Sequence, residues 1–116
     1  MPRDLSTLKK AILKFTKDRD WEQFHTPKNL AMAMSVEAAE IVEIFQWLTE
    51  KQAATLSPKQ KEALSDELAD TFMYLIRLGQ VAGIDLVDAS FRKMAKNAAK
   101  YPVSKARGRM TKYHEL

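Results

Sequence analysis

Two acidic pairs dominate the chemical reading of this sequence. Glu37 and Glu40 stand three apart in "SVEAAEIVEIFQW", with Glu43 following, and Glu67 and Asp70 stand three apart in "DELAD". Residues three apart on a helix project from one side, one turn apart. Two such pairs on adjacent antiparallel helices bring four carboxylates together, and ionised carboxylates at close range repel unless a cation sits among them. Oxygen-only ligation calls for a hard ion, Mg²⁺ or Mn²⁺, and argues against zinc. One ExxE pair by itself is usually a solvated helix face, so the direction of the first pair matters. At about 100° per residue, Leu30, Met34, Ile41, Phe45 and Leu48 form one stripe, and Glu37 falls within roughly 45° of its centre. Glu40 lies at the stripe's edge and Glu43 turns further toward solvent. A carboxylate aimed into apolar packing is costly unless paired, protonated or bound to a metal, and no lysine or arginine occurs between Lys28 and Lys51. A di-iron bundle would need Glu-x-x-His pairs, whereas the two histidines, His25 and His114, lie in neither acidic segment.

The elements that must carry these residues read as helices. Leu5, Leu8, Ile12 and Phe15 recur at helical spacing in a first helix from Asp4 or Ser6 to about Asp18, and "DRDWEQFHTP" is a connector. Thr26 as cap with Pro27 at the first helical position opens a second helix, expected to reach about Thr49. Ser57, Pro58 and Gln60 open a third helix that ends near Gly83. Asp85 caps a fourth, which runs to about Lys100 just before Pro102. No segment alternates in the manner of a strand. The expected fold is all-α, an antiparallel four-helix bundle over residues 1–102 with a basic tail over 103–116. The third helix is apolar on more than one side, with Leu64, Leu68, Phe72 and Leu75 on one stripe and Met73 and Ile76 off it, which predicts a homo-oligomer.

Composition narrows the classes further. With 116 residues and no cysteine, the chain fits one domain without disulfides or thiolate metal sites. Its first residues lack the pattern of a secretory leader and no apolar run approaches the length of a membrane span, so a soluble, cytoplasmic protein is expected. Net charge is +4, and eight Lys or Arg without any acid lie between Ala89 and His114. A basic end can serve as a nucleic-acid arm, but neither a groove-reading helix nor an aromatic platform accompanies it, and nucleic acid ranks last among the partners considered.

Three blocks, "RDWEQFHTPKNLAMAMSVEAAEIVEIFQW", "DELADTFMYLIRL" and "GIDLVDASFRKMAKNAAKYP", resemble the MazG-like nucleotide pyrophosphohydrolases, and more narrowly the single-domain dCTP pyrophosphatase-like branch of that all-α superfamily. The resemblance implies Mg²⁺-dependent hydrolysis of a deoxynucleoside triphosphate to a monophosphate and pyrophosphate, in a homodimer or dimer-based homotetramer whose neighbouring subunit helps enclose the site, as house-cleaning of the nucleotide pool. By motif match Glu37, Glu40, Glu67 and Asp70 are the metal ligands. Many members carry a doubled glutamate where this chain has Val36 before Glu37, which leaves a non-catalytic nucleotide-binding oligomer as the alternative. Glu40, then Glu43, are the candidates for handling the water, because both lie toward the rim of the acidic face. Lys93, Lys96 and Lys100 recur at helical spacing with Asn97 and Tyr101 beside them. Alone they read as a wet face; within the third block they imply phosphate contacts. Trp21 and Trp47 match aromatic positions that the family places around the base. Tyr74 lies one turn beyond Asp70, and His25 and Asn29 stand in the matching "FHTPKNL" block.

Overall fold

The computed structural model describes residues 2–116, and the described residues are all helix, turn and connector. The long helices are α1 (Leu5–Asp18), α2 (Pro27–Phe45), α4 (Pro58–Ala82) and α5 (Leu86–Lys100), with short helices α3 (Glu50–Ala54) and α6 (Val103–Ala106) between and after them. The all-α class expected from the sequence is therefore what the chain adopts. No helix among the described residues is long and apolar enough to cross a membrane.

Local chemistry sets most boundaries. Asp4 accepts the Thr7 N–H to open α1, Thr26 accepts that of Asn29 with Pro27 at the first position of α2, and Ser57 and Gln60 exchange backbone and side-chain hydrogen bonds at the start of α4. At the far end of α4, Gly83 takes φ +69°, the left-handed conformation in which a glycine carries no Cβ penalty. The second helix stops at Phe45, short of the expected Thr49. Thr49 instead caps a new helix, exchanging hydrogen bonds with Gln52, so Gln46 to Leu48 form a turn between α2 and α3.

The chain divides into two compact units, residues 1–83 and 84–116. In the first, α4 packs chiefly on α2 and more lightly on α1. The two pairings along α2 fix its direction. His25, just ahead of α2, bonds Arg77 late in α4, whereas Glu37 in mid-α2 meets Glu67 and Asp70 earlier in α4. The helices are antiparallel, as expected. Leu30 and Ile76, each 1% exposed, anchor the contact, and Gln80 ties α4 to α1 by donating to the Lys9 carbonyl at 2.9 Å. In the second unit α5 is exposed apart from the half-buried Leu86 and Ala89, and the following segment returns to its end: Tyr113 stands edge-on to Tyr101 at 6.1 Å, with the Lys100 ammonium 4.8 Å from the Tyr113 ring centre.

Candidate active site

The α2–α4 pairing brings Glu37, Glu67 and Asp70 together, each half-buried, with one carboxylate oxygen of each within 4.8 Å of the others. One oxygen of Glu37 and one of Glu67 are sealed from solvent without a hydrogen-bond donor. Ionised carboxylates only accept hydrogen bonds, so the cluster has two ways to relieve its charge: hold a proton between acids, or bind a cation. The proton affinities express the first. Glu67 is pushed up to about 8, first by sharing a hydrogen bond with the Glu40 carboxyl, then with that of Glu37, with burial and the charges of Glu40 and Glu37 adding to the effect. For Glu37 the hydrogen bond to Glu67 pulls downward. Burial, the Glu40 carboxyl and the charges of Glu40 and Asp70 outweigh it and hold Glu37 above its ordinary range. Glu40 thus joins the group through both Glu37 and Glu67, while Glu43 one turn on is exposed.

No lysine or arginine makes an ion pair with these acids among the described residues. Orphaned buried oxygens, mutual proximity and the lack of a cationic partner together suit a divalent metal ion, and the all-oxygen donor set suits a hard one. The Thr71 hydroxyl donates back to the Glu67 carbonyl at 2.8 Å and fixes the local turn of α4 that carries both acids.

Beside the acids lies a cavity of about 450 Å³ within the first unit, lined by Glu37 and Asp70 at one part and by side chains of α1, the connector and α4 elsewhere. Three of the expected base-binding residues, Trp21, His25 and Tyr74, line it. The Trp21 ring sits edge-on to Phe15 at 5.8 Å and 6.3 Å from His25. Its position depends on the turn after α1, where Asp20 takes φ 53° and the Trp21 N–H reaches the Thr16 carbonyl at 3.0 Å. Asn29 spends its side-chain amide on the Phe24 carbonyl at 3.0 Å, which locks the connector onto α2. Trp47, in the turn after α2, lies outside that lining and is 86% exposed. Lys93, Lys96, Asn97, Lys100 and Tyr101 belong to the second unit, the first four exposed on α5 and Tyr101 capping its end with its N–H on the Asn97 carbonyl at 2.8 Å.

Sequence reasoning passed over Arg77. It is 7% exposed, lines the cavity, and donates Nε to His25 Nδ1 and Nη1 to Gln80 Oε1, both at 3.0 Å. The available signal was an arginine inside the apolar run "TFMYLIRL" on a helix otherwise read as core. The apolar stripe of α1, which the spacing shows only as a helix signal, supplies cavity wall through Leu8, Ile12 and Phe15.

Comparison with known proteins agrees with this geometry. A model of the MazG-like family matches residues 32–116. Over 114 residues the chain is 40% identical to dCTP pyrophosphatase 1 of Mus musculus and 39% identical to that of Homo sapiens, covering 97% of this chain and 67% of each relative. The crystal structure of a pyrophosphatase from Archaeoglobus fulgidus superimposes with a TM-score of 0.81 at 38% identity, covering 88% of this chain and 95% of the other. On the family match across most of its length and these relatives, the chain belongs to the MazG-like family.

Proposed function

We propose that this protein hydrolyses deoxynucleoside triphosphates, dCTP or a close relative foremost, between the α and β phosphates to give the monophosphate and pyrophosphate. The observation that carries the reading is the acidic cluster on α2 and α4, with its two orphaned oxygens, opening beside a largely apolar cavity. The relatives named as dCTP pyrophosphatases supply the substrate class.

Glu37, Glu67 and Asp70, with Glu40 beside them, would hold Mg²⁺, for which Mn²⁺ can substitute. When bound, the ion offsets triphosphate charge and makes water a better nucleophile. The chain's own groups do the rest. Glu40 accepts the proton of the attacking water at a carboxylate oxygen, since it sits at the edge of the cluster and not at its centre. Oxygen from water joins the α-phosphorus, the bridging bond to the β-phosphate breaks, and pyrophosphate leaves. The cavity walls of Ile12, Phe15, Trp21 and Tyr74 take up the base and exclude water from it. Lys93, Lys96, Asn97, Lys100 and Tyr101 are assigned to the phosphates, and Asn29 and Trp47 to the margin of the nucleoside site. The exposure of Met32, Val36 and Val42 on α2 and of Leu68 and Phe72 on α4 supports a homodimer or dimer-based homotetramer that covers them.

The decisive experiment incubates the protein with each dNTP and Mg²⁺ in ¹⁸O-labelled water and separates the products. Pyrophosphate plus a monophosphate carrying the label supports the reading. Orthophosphate plus a diphosphate, or label in pyrophosphate, overturns the assigned bond. Tight dNTP binding without turnover identifies a non-catalytic nucleotide-binding protein instead.

A further inference from the structure

Arg77 is a buried cation whose partners are all neutral. Its Nε donates to His25 Nδ1 and its Nη1 to Gln80 Oε1, and no carboxylate pairs with it among the described residues. Burying a charge without a counter-charge is costly unless a ligand repays it. A guanidinium carries five N–H groups, of which this arrangement spends two. Nη2 makes no hydrogen bond among the described residues, and it is not among the sealed, unpartnered polar atoms, which are oxygens of Glu37 and Glu67. Arg77 also lines the cavity, so its uncommitted N–H groups lie at the wall of that space.

The group is held in place from two sides. Gln80 accepts from Arg77 and donates to the Lys9 carbonyl, so the guanidinium is tied through α4 to α1. His25 accepts through Nδ1, which puts its ring proton on Nε2. Burial first, and then the charge of Arg77, lower the proton affinity of His25 against the opposite pull of Glu22, so it stays a neutral acceptor. A donor fork fixed in this way is already oriented before a ligand arrives.

Arg77 lies seven residues beyond Asp70, close to the same face of α4 and about 10 Å along its axis. The lining shared with Arg77 is largely apolar, with Ile12, Phe15, Trp21 and Met73 in it, so a base and not a phosphate suits that space once the triphosphate is engaged at the acids. We propose that Arg77 is the specificity-determining residue of this site and reads the base edge, its free guanidinium N–H groups donating to two adjacent acceptors. The proposal rests on the dNTP reading above. Among the pyrimidines cytosine meets the requirement with O2 and N3 side by side, whereas uracil places an N3–H donor against the fork; among the purines guanine also offers two adjacent acceptors, O6 and N7, and adenine has no carbonyl.

The test compares kcat/KM for dCTP and dUTP in wild type, Arg77→Gln and Arg77→Lys. It also compares binding of dCMP and dUMP to the metal-free proteins by calorimetry. Wild type is expected to favour the cytosine ligand in both assays. Each variant, including the lysine that keeps the charge but loses the fork, is expected to compress that preference at least about tenfold. Absence of a wild-type preference, a folded variant that retains it, or an equal loss for both bases overturns the proposal, the last pointing to phosphate binding. If Arg77→Gln fails to fold, the lysine variant decides. If no dNTP is hydrolysed, the pyrophosphohydrolase reading fails and the monophosphate binding pair still decides the role of Arg77.

Discussion

Glu37 on α2 and Glu67 on α4 face each other across the helix pair with a buried, undonated oxygen on each side. Their charges resist one another, yet the antiparallel packing around Leu30 and Ile76 holds them there. In the metal-free chain the conflict is eased by protonation, which is why both carboxyls are raised. A site arranged in this way exchanges a proton for a metal ion, and its metal affinity rises with pH.

That exchange predicts an unusual pH profile for the metal-free protein. Glu67 titrates at about 8 when folded against an ordinary 4.5, so between these values the folded state holds more protons than the unfolded chain. Its contribution to stability is complete below about 4.5 and is lost as pH rises through about 8. Thermal melting in a chelator should show Glu67→Gln close to wild type at pH 5 and more stable at pH 8.5. Adding Mg²⁺ should raise the wild-type melting temperature more at the higher pH. A glutamine variant that melts below wild type at pH 8.5 contradicts the repulsion described here.

Removing a ligand should separate folding from chemistry. Glu67→Ala and Asp70→Ala are each expected to lower turnover by about 10²-fold or more while helical circular dichroism persists, because the cluster adds charge repulsion and not packing to α2 and α4. Loss of the Mg²⁺-dependent rise in melting temperature should accompany the loss of rate. Retained activity in either variant removes that residue from the ligand set.

The end of α4 offers a check on the fold itself. Gly83 takes φ +69°, and a Cβ added there meets no atom within 4 Å, so the cost of Gly83→Ala is conformational alone. It should be about 1 kcal/mol, read as a lower urea midpoint with an unchanged slope. A much larger loss, or a change in slope, indicates that the turn is packed and not merely left-handed.

Some of these features were legible in the residues and others were not, for separable reasons. The acidic cluster was legible because angular spacing on α2 placed Glu37 toward the apolar stripe, and a second pair recurred on the next long helix. The caps at Thr26, Ser57 and Asp85 were legible because capping is local chemistry. The end of α2 was misjudged by about a turn, because Thr49 is a stronger cap for a new helix than a continuation of the old one. Arg77 was invisible because its value lies in partners far along the chain: His25 is 52 residues away, and its link Gln80 reaches Lys9, 71 residues away. No periodicity encodes such a contact. Asn29 suits either a base or the connector by its type, and only the structure shows that its side-chain amide donates to the Phe24 carbonyl.

The division of labour among the glutamates is the sharpest remaining prediction. Glu37, Glu40 and Glu43 are spaced evenly in sequence, yet Glu43 is exposed whereas Glu40 is half-buried and acts on both Glu37 and Glu67. A group that takes a proton from water must reach the cluster's rim with a carboxylate oxygen left over from metal binding, which suits Glu40, beside the three acids that lie within 4.8 Å of one another. Glu40→Gln keeps the shape and removes the base, so kcat should fall by about 10²–10⁴-fold with a smaller change in KM. Glu43→Gln, one turn further toward solvent, should change kcat by less than about threefold, as expected for a surface position. Pre-steady-state rates with dCTP in both variants check this. Equal losses in both would return Glu43 to the reaction, and a normal rate in Glu40→Gln would place the proton elsewhere.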